Sequence, residues 1–240
     1  MKRLIVTALL LVAPAAFATN GYFTHGLGIY SKAMAGANTA LPQEVLDTET
    51  NPAAAAFVDK GYSLSLALFN PERKYTVDGA PSRVPGTFGL RPGTVKSKST
   101  LFPMPSFGLN MRPNDRDAVA VNVVARGGMN TDYRTSTFYG SDHTGVDLAQ
   151  MFVTTTWARK LTDDHALGVT AVIAGQRFKA SGLEAFGAFS SDSSGLTGNG
   201  YDTAYGFGVR VGYLGRLTPK LSVGAAYAPR IHMSEFSEYK

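Results

Sequence analysis

Asp142 and His143 are neighbouring residues whose types suit acid–base chemistry. Adjacent side chains on a loop seldom form a catalytic hydrogen bond, and no partnered nucleophile accompanies them. The four histidines, His25, His143, His165 and His232, are scattered without metal-ligand spacing. Gly26-x-Gly28 lacks the strand-then-helix setting of a dinucleotide-binding loop. The residues therefore argue against an enzyme, and neither a metal nor a cofactor is expected.

Two other kinds of chemistry remain. One is apolar: the stretch from Lys179 to Tyr201 carries Leu183, Phe186, Phe189 and Leu196 among Gly and Ser. Leu183 and Phe186 have helical spacing, so a short amphipathic helix is expected there. Exposed apolar side chains on a loop need a reason. Capture of a hydrophobic ligand is one, and packing against a neighbouring loop is the other. The second kind is cationic: Arg210, Arg216 and Arg230 fall on the polar face of their segments. They could hold a carboxylate bidentately, although such arginines more often pair with acidic residues of their own chain. Arg177 and Lys179 straddle a strand end and suit holding the loop.

The elements that position these residues are strands. From residue 61 onward the pattern has period two. Tyr62, Leu64, Leu66 and Leu68 oppose Ser63 and Ser65; Leu167, Val169, Ala171 and Ile173 oppose Gly168, Thr170 and Gln176. The same alternation runs through Leu101–Arg112, Val119–Arg126, Ala149–Trp157, Tyr205–Tyr213 and Leu221–His232. That makes seven strands of a length that crosses a tilted path through a bilayer.

A soluble sandwich would alternate too. Two features favour the membrane. Residues 112–116, 161–164 and 217–220 make tight turns, whereas the links near 71–100, 127–146 and 179–201 are long; short inner turns and long outer loops belong to outer-membrane barrels. Tyr62, Trp157, Tyr205, Tyr213 and Tyr227 lie near strand ends on the apolar face, as interfacial girdles do. The opening residues agree: Lys2 and Arg3, an apolar run from Leu4 to Val12, then Ala16-Phe17-Ala18 read as a secretory signal peptide over 1–18. There is no cysteine, and the net charge of +5 has no Lys/Arg run behind it. Nucleic acid is therefore not an expected partner; outer-membrane lipid is. The fold class is all-β, an antiparallel transmembrane barrel. Because a spanning sheet must close and seven strands is odd for such a barrel, residues 61–240 are expected to be the N-terminal part of a longer wall.

Residues 19–60 precede the first strand without its alternation. Asn51-Pro52-Ala53, with Gly26-Leu27-Gly28 and Ala35-Gly36-Ala37 upstream, resembles the N-terminal plug, or hatch, of the FadL/TodX family of outer-membrane transporters. Gly127-Gly128-Met129-Asn130-Thr131-Asp132-Tyr133 is similar to that family's Gly-Leu-x-Thr-x-Tyr run, and the Asn114-Asp115 turn fits before it. The resemblance spans nearly all of the exported chain. It implies the N-terminal half of a fourteen-stranded barrel in a Gram-negative outer membrane, with residues 19–60 stoppering the lumen. It further implies capture of a long-chain fatty acid or other hydrophobic compound on the outer loops. Release would then be sideways, at a strand kink falling on Gly127-Gly128. The competing reading is a general diffusion porin or a purely structural barrel.

Overall fold

The structure is a computed structural model and describes residues 23–140 and 143–239. The expected signal peptide, Asp142 and Lys240 lie outside these residues. Helix α1 (Ile29–Ala33) and two 3₁₀ turns, Val45–Glu49 and Pro52–Ala56, come first. Strands follow: β1 (Gly61–Phe69), β2 (Lys74–Val77), β3 (Gly93–Lys96), β4 (Phe102–Met111), β5 (Asp117–Tyr133) and β6 (Thr144–Lys160). After β7 (His165–Ser181) a third 3₁₀ turn, Glu184–Phe189, precedes β8 (Asp202–Thr218), β9 (Leu221–Tyr227) and β10 (His232–Met233).

The main sheet runs β1-β4-β5-β6-β7-β8-β10, with β9 also paired to β8, and every pairing is antiparallel. It is half of an up-and-down barrel. The alternation expected from the sequence points its apolar side outward: Leu64 is 77% exposed and Leu66 and Leu68 are each 65% exposed. On β7, Leu167, Val169 and Ile173 are exposed while the alternate residues Thr170, Val172 and Ala174 are buried. A water-soluble sheet would hide those large side chains; a lipid-facing one displays them. β5, β6, β7 and β8 have 17 residues each. At ~3.3 Å per residue such strands outrun the hydrocarbon layer even when tilted, so their ends stand clear of it.

The inner face is polar or small. Ser106, Asn110, Asn122, Thr154, Thr156, Thr170 and Arg210 are buried there, beside Ala118, Ala120, Ala158, Ala166 and Ala204. Residues 23–60 lie against this face and fill it. Ala53, Ala55 and Ala56 pack on Ala118, Ala120, Ala158, Ala166 and Leu214. Leu27 and Leu46 pack on Val124, Phe152, Val172 and Ala174. The core of the molecule is thus inside the curve of the sheet, between the leading segment and the wall.

Three expectations need correction. The third strand does not give way to a loop at residue 127; β5 continues to Tyr133, and the link to β6 is residues 134–143. The link between β1 and β4 contains the separate ribbon β2–β3. The segment Leu221–His232 is not one strand. It breaks after Tyr227, where Pro229 has no N–H to offer a ladder, and resumes as β10 with its faces exchanged. Ile231 consequently packs inward on the core instead of facing lipid, and Arg230 is exposed rather than facing the lumen.

Candidate functional site

Asn51 caps the Pro52–Ala56 turn, its Oδ1 accepting from Ala53 N at 3.1 Å, with Pro52 at the first position where a missing N–H costs nothing. Its Nδ2 donates to Thr39 O and to Tyr213 O on β8, both at 2.9 Å. Asn51, Pro52 and Ala53 are all buried. The wall makes room for them with two facing glycines, Gly168 on β7 and Gly212 on β8, which are register partners. A Cβ at Gly168 would lie 2.6 Å from Ala53 N, and one at Gly212 would lie 2.7 Å from Pro52 Cδ. Asn-Pro-Ala therefore sits where it does because backbone meets backbone.

Polar groups fasten the rest of the segment. Asn110 donates to the carbonyls of Ala55, Val58 and Asp59, and Arg112 donates to those of Ala56 and Val58 at 2.8 Å. Those carbonyls end a helical turn and would otherwise lack partners. Arg210 Nη1 donates to Glu49 O and lies 3.6 Å from Glu49 Oε2, while Thr154 and Asn122 donate to Glu49 Oε1. Arg216 stands over the Phe57 ring, 4.7 Å from its centroid. Arg210 thus pairs with an acidic residue of its own chain, as the commoner of the two sequence readings has it.

β5 carries an irregularity one residue ahead of the two glycines. The β5–β6 register shifts between Ala125 and Gly127, leaving Arg126 as the extra residue of a bulge. Gly128 approaches β6 so closely that a Cβ would collide with the Leu148 carbonyl. On the other edge, β4 and β5 pair only from Ser106 to Met111. The β1–β4 ladder runs unbroken through Pro103 and Pro105, so their missing donors fall on the β5 edge. Beyond Val124 the two strands part. In the gap Phe23 bridges to Gly127 and Thr24 N donates to Arg126 O at 3.1 Å. The leading segment thus pairs with the strand edge that β4 relinquishes. A cavity of about 650 Å³ opens here, lined by Phe23, Phe69, Phe102, Met104, Met129 and Leu148 among others.

On the outer side, Phe186 joins an aromatic cluster rather than a free surface. Its ring centroid is 5.1 Å from Phe88 and 5.4 Å from Phe138, and Phe88 also meets Tyr139 at 5.5 Å. Three outer loops are tied together by these rings. Phe189 stays 84% exposed, while Leu183 and Leu196 are half-buried. The expected short helix is the 3₁₀ turn Glu184–Phe189, with Leu183 as its cap. Arg177 lies 3.8 Å from Asp147 and stands, with Lys179, over the Tyr201 ring, whose hydroxyl donates to Asp147 at 2.6 Å. These contacts hold the loop to the wall. His143 Nδ1 is 2.7 Å from Asp132 Oδ1, a pairing between the β5–β6 link and the end of β5. Sequence reading missed Glu49 and Arg126; the departure from alternation after Ala125 was the available signal for the second.

A curved antiparallel sheet with lipid-compatible side chains outside and a polar, largely filled inner face defines part of the wall of an outer-membrane β-barrel. The model of the outer membrane protein transport protein family (OMPP1/FadL/TodX) matches residues 5–239, and the chain belongs to that family. It is therefore a Gram-negative outer-membrane protein. Among solved structures it is similar to the Pseudomonas putida toluene transporter TodX, at 15% identity and a TM-score of 0.66 over 89% of this chain and 57% of that one. The Ralstonia pickettii toluene transporter TbuX matches at 20% identity and 0.63, over 87% and 58%. A Pseudomonas aeruginosa FadL homologue matches at 20% identity and 0.59, over 88% and 53%. At these identities the likeness is one of fold. The chain spans between 53% and 58% of the length of these three structures. No curated protein matches it.

Proposed function

We propose that the chain forms the hatch-bearing half of a transporter that takes up hydrophobic compounds through the outer membrane. Residues 19–60 are its hatch, the outer loops near Phe189 collect the ligand, and the ligand leaves sideways between β4 and β5. An apolar molecule gains nothing by crossing a water-filled pore, so an exit into the bilayer suits the cargo. The observation that carries the reading is the wall gap beyond Val124, spanned among the described residues by Phe23 and Thr24 of the leading segment and fronting an apolar cavity. Withdrawal of those two residues would join the cavity to lipid. Asn51, Pro52 and Ala53 anchor the hatch, and the bulge before Gly127 and Gly128 turns β5 away from β4.

Met104 and Ala125 both border the gap, and the chain has no cysteine of its own. In the full-length protein, Met104→Cys with Ala125→Cys joined by a short bis-maleimide should stop uptake of oleate and of an alkylbenzene. The unlinked pair should transport normally. Undiminished uptake after linkage would exclude sideways exit. The porin reading is tested by removing residues 19–56: a gated transporter loses selective uptake, whereas a porin conducts as before.

A further inference from the structure

The wall has a second irregularity, where β9 gives way to β10. β9 last meets β8 at Tyr227 and Val211, and β10 first meets it at His232 and Phe207. Residues 228–231 thus stand opposite residues 208–210, one residue more than the ladder needs. An insertion of one residue reverses every side chain after it. Leu221 and Tyr227 are exposed on the lipid side of β9, whereas Ile231 and Met233, in the same odd-numbered set, turn inward. β8 receives them on glycines. A Cβ at Gly208 would lie 2.6 Å from Ile231 Cγ1, and one at Gly206 would lie 2.7 Å from His232 O. Residues 208–210 forgo ladder pairs on this edge, a loss that hydrocarbon makes expensive. What the inward turn supplies is a contact.

That contact is with the apolar cluster behind the first irregularity. Ile231 and Met233 pack on the cluster that contains Leu27, Val124 and Phe152. Val124 is the last residue of β5 to pair with β4. Phe152 meets the Phe23 ring edge-on, with centroids 6.1 Å apart. Leu27 lies on the leading segment, close in the chain to Phe23. The bridge across the gap has little main-chain bonding of its own: the Phe23–Gly127 pairing and the bond from Thr24 N to Arg126 O. Its seat is therefore set by the side chains behind it.

Resting on the transport reading above, we infer that Ile231 is a positioning residue for the gate. Through the shared cluster it holds Phe23 in the gap, so the two irregularities of the wall loosen and tighten together. Close-packed side chains pass a displacement on rather than absorb it. The coupling is reciprocal, since a free energy shared by two sites acts equally from either. Asn51, by contrast, anchors the other end of the segment on Tyr213, outside this cluster. Loss of Ile231 should hence free the bridge and leave that anchor seated.

The test uses the full-length protein in outer-membrane vesicles and exploits the lack of cysteine in this chain. A Thr24→Cys reporter reads the bridge, and an Ala40→Cys reporter reads the anchored end, where Ala40 packs on the alanine cluster. Ile231→Ala should speed maleimide labelling of the bridge reporter about tenfold or more, and Ile231→Val about twofold. Labelling of the Ala40→Cys reporter should hold steady. Reciprocally, Phe23→Ala should speed labelling of a Met233→Cys reporter. Heat-modifiable migration on gels establishes that each variant is a folded barrel; where Ile231→Ala fails this check, Ile231→Val is read alone. Unchanged bridge labelling, equal acceleration at both ends, or a Met233→Cys reporter deaf to Phe23→Ala would overturn the inference and leave the transport reading standing. A wild type that takes up neither oleate nor an alkylbenzene, with labelling as expected, would bring down the transport reading alone.

Discussion

Arg210, on the wall strand β8, and Glu49, on the leading segment, form a buried ion pair with 3.6 Å between Nη1 and Oε2. The two residues are 161 positions apart in the chain. Thr154 and Asn122 complete the carboxylate's shell from β6 and β5. A charge removed on one side leaves the other stranded away from water, which costs about 3–5 kcal/mol. Glu49→Ala should therefore unseat the leading segment, read as faster protease cleavage between residues 23 and 60 while the barrel itself stays intact. Glu49→Ala combined with Arg210→Met should recover part of the protection, because no buried charge is then left over.

The glycine pair under Asn51 and Pro52 gives a steric prediction. Gly168→Val should displace the leading segment outright, since the obstacle it meets is main chain and not a flexible side chain. The same substitution in a protein lacking residues 19–56 should have little effect on barrel stability. Asn51→Ala is milder. It deletes three hydrogen bonds, worth on the order of 1 kcal/mol each, and should raise amide exchange in residues 38–58 without expelling the segment.

In the outer loops, Phe88 and Phe189 should behave oppositely. Phe88→Ala removes ring contacts to Phe138, Tyr139 and Phe186, each worth roughly 0.5–1.5 kcal/mol beyond burial. Hydrogen exchange should rise in all three loops together. Phe189→Ala should leave loop protection unchanged and weaken only capture of cargo at low concentration.

The Tyr201 clamp is pH-dependent in a defined direction. Its hydroxyl donates to Asp147, which holds the phenol above its ordinary value of 10.0. A group whose folded pKa is raised lends stability below its unfolded value and loses it as pH climbs through the folded one. The clamp should thus be whole at neutral pH and fail only in alkali above 10.0. Phenolate absorbance should show one tyrosine titrating late, and Tyr201→Phe should abolish that late component.

How much of this was written in the residues can be said strand by strand. Leu64, Leu66 and Leu68 declare their face locally, because lipid asks only that every second side chain be apolar. The break at Pro229 was also local in cause, but the run of apolar residues on either side concealed the exchange of faces that turns Ile231 inward. Gly127 and Gly128 looked like a strand's end, yet past the bulge at Arg126 they pair with Gln150 and Ala149 of the next strand. The same holds for Phe186, whose ring partners lie in two other loops, and for Glu49, whose counter-ion follows five strands of wall.

The bond from Asn51 to Tyr213 bears on how the molecule is put together. Its partners are separated by 162 residues, so the leading segment gains this lodging only after β1 and β4 to β8 have been made. Threading an irregular peptide into a finished cylinder would strip water from its amides before partners arrived. Assembly is instead expected to curl each successive hairpin around a waiting tenant, with residues 23–60 as the mandrel for the strands that follow.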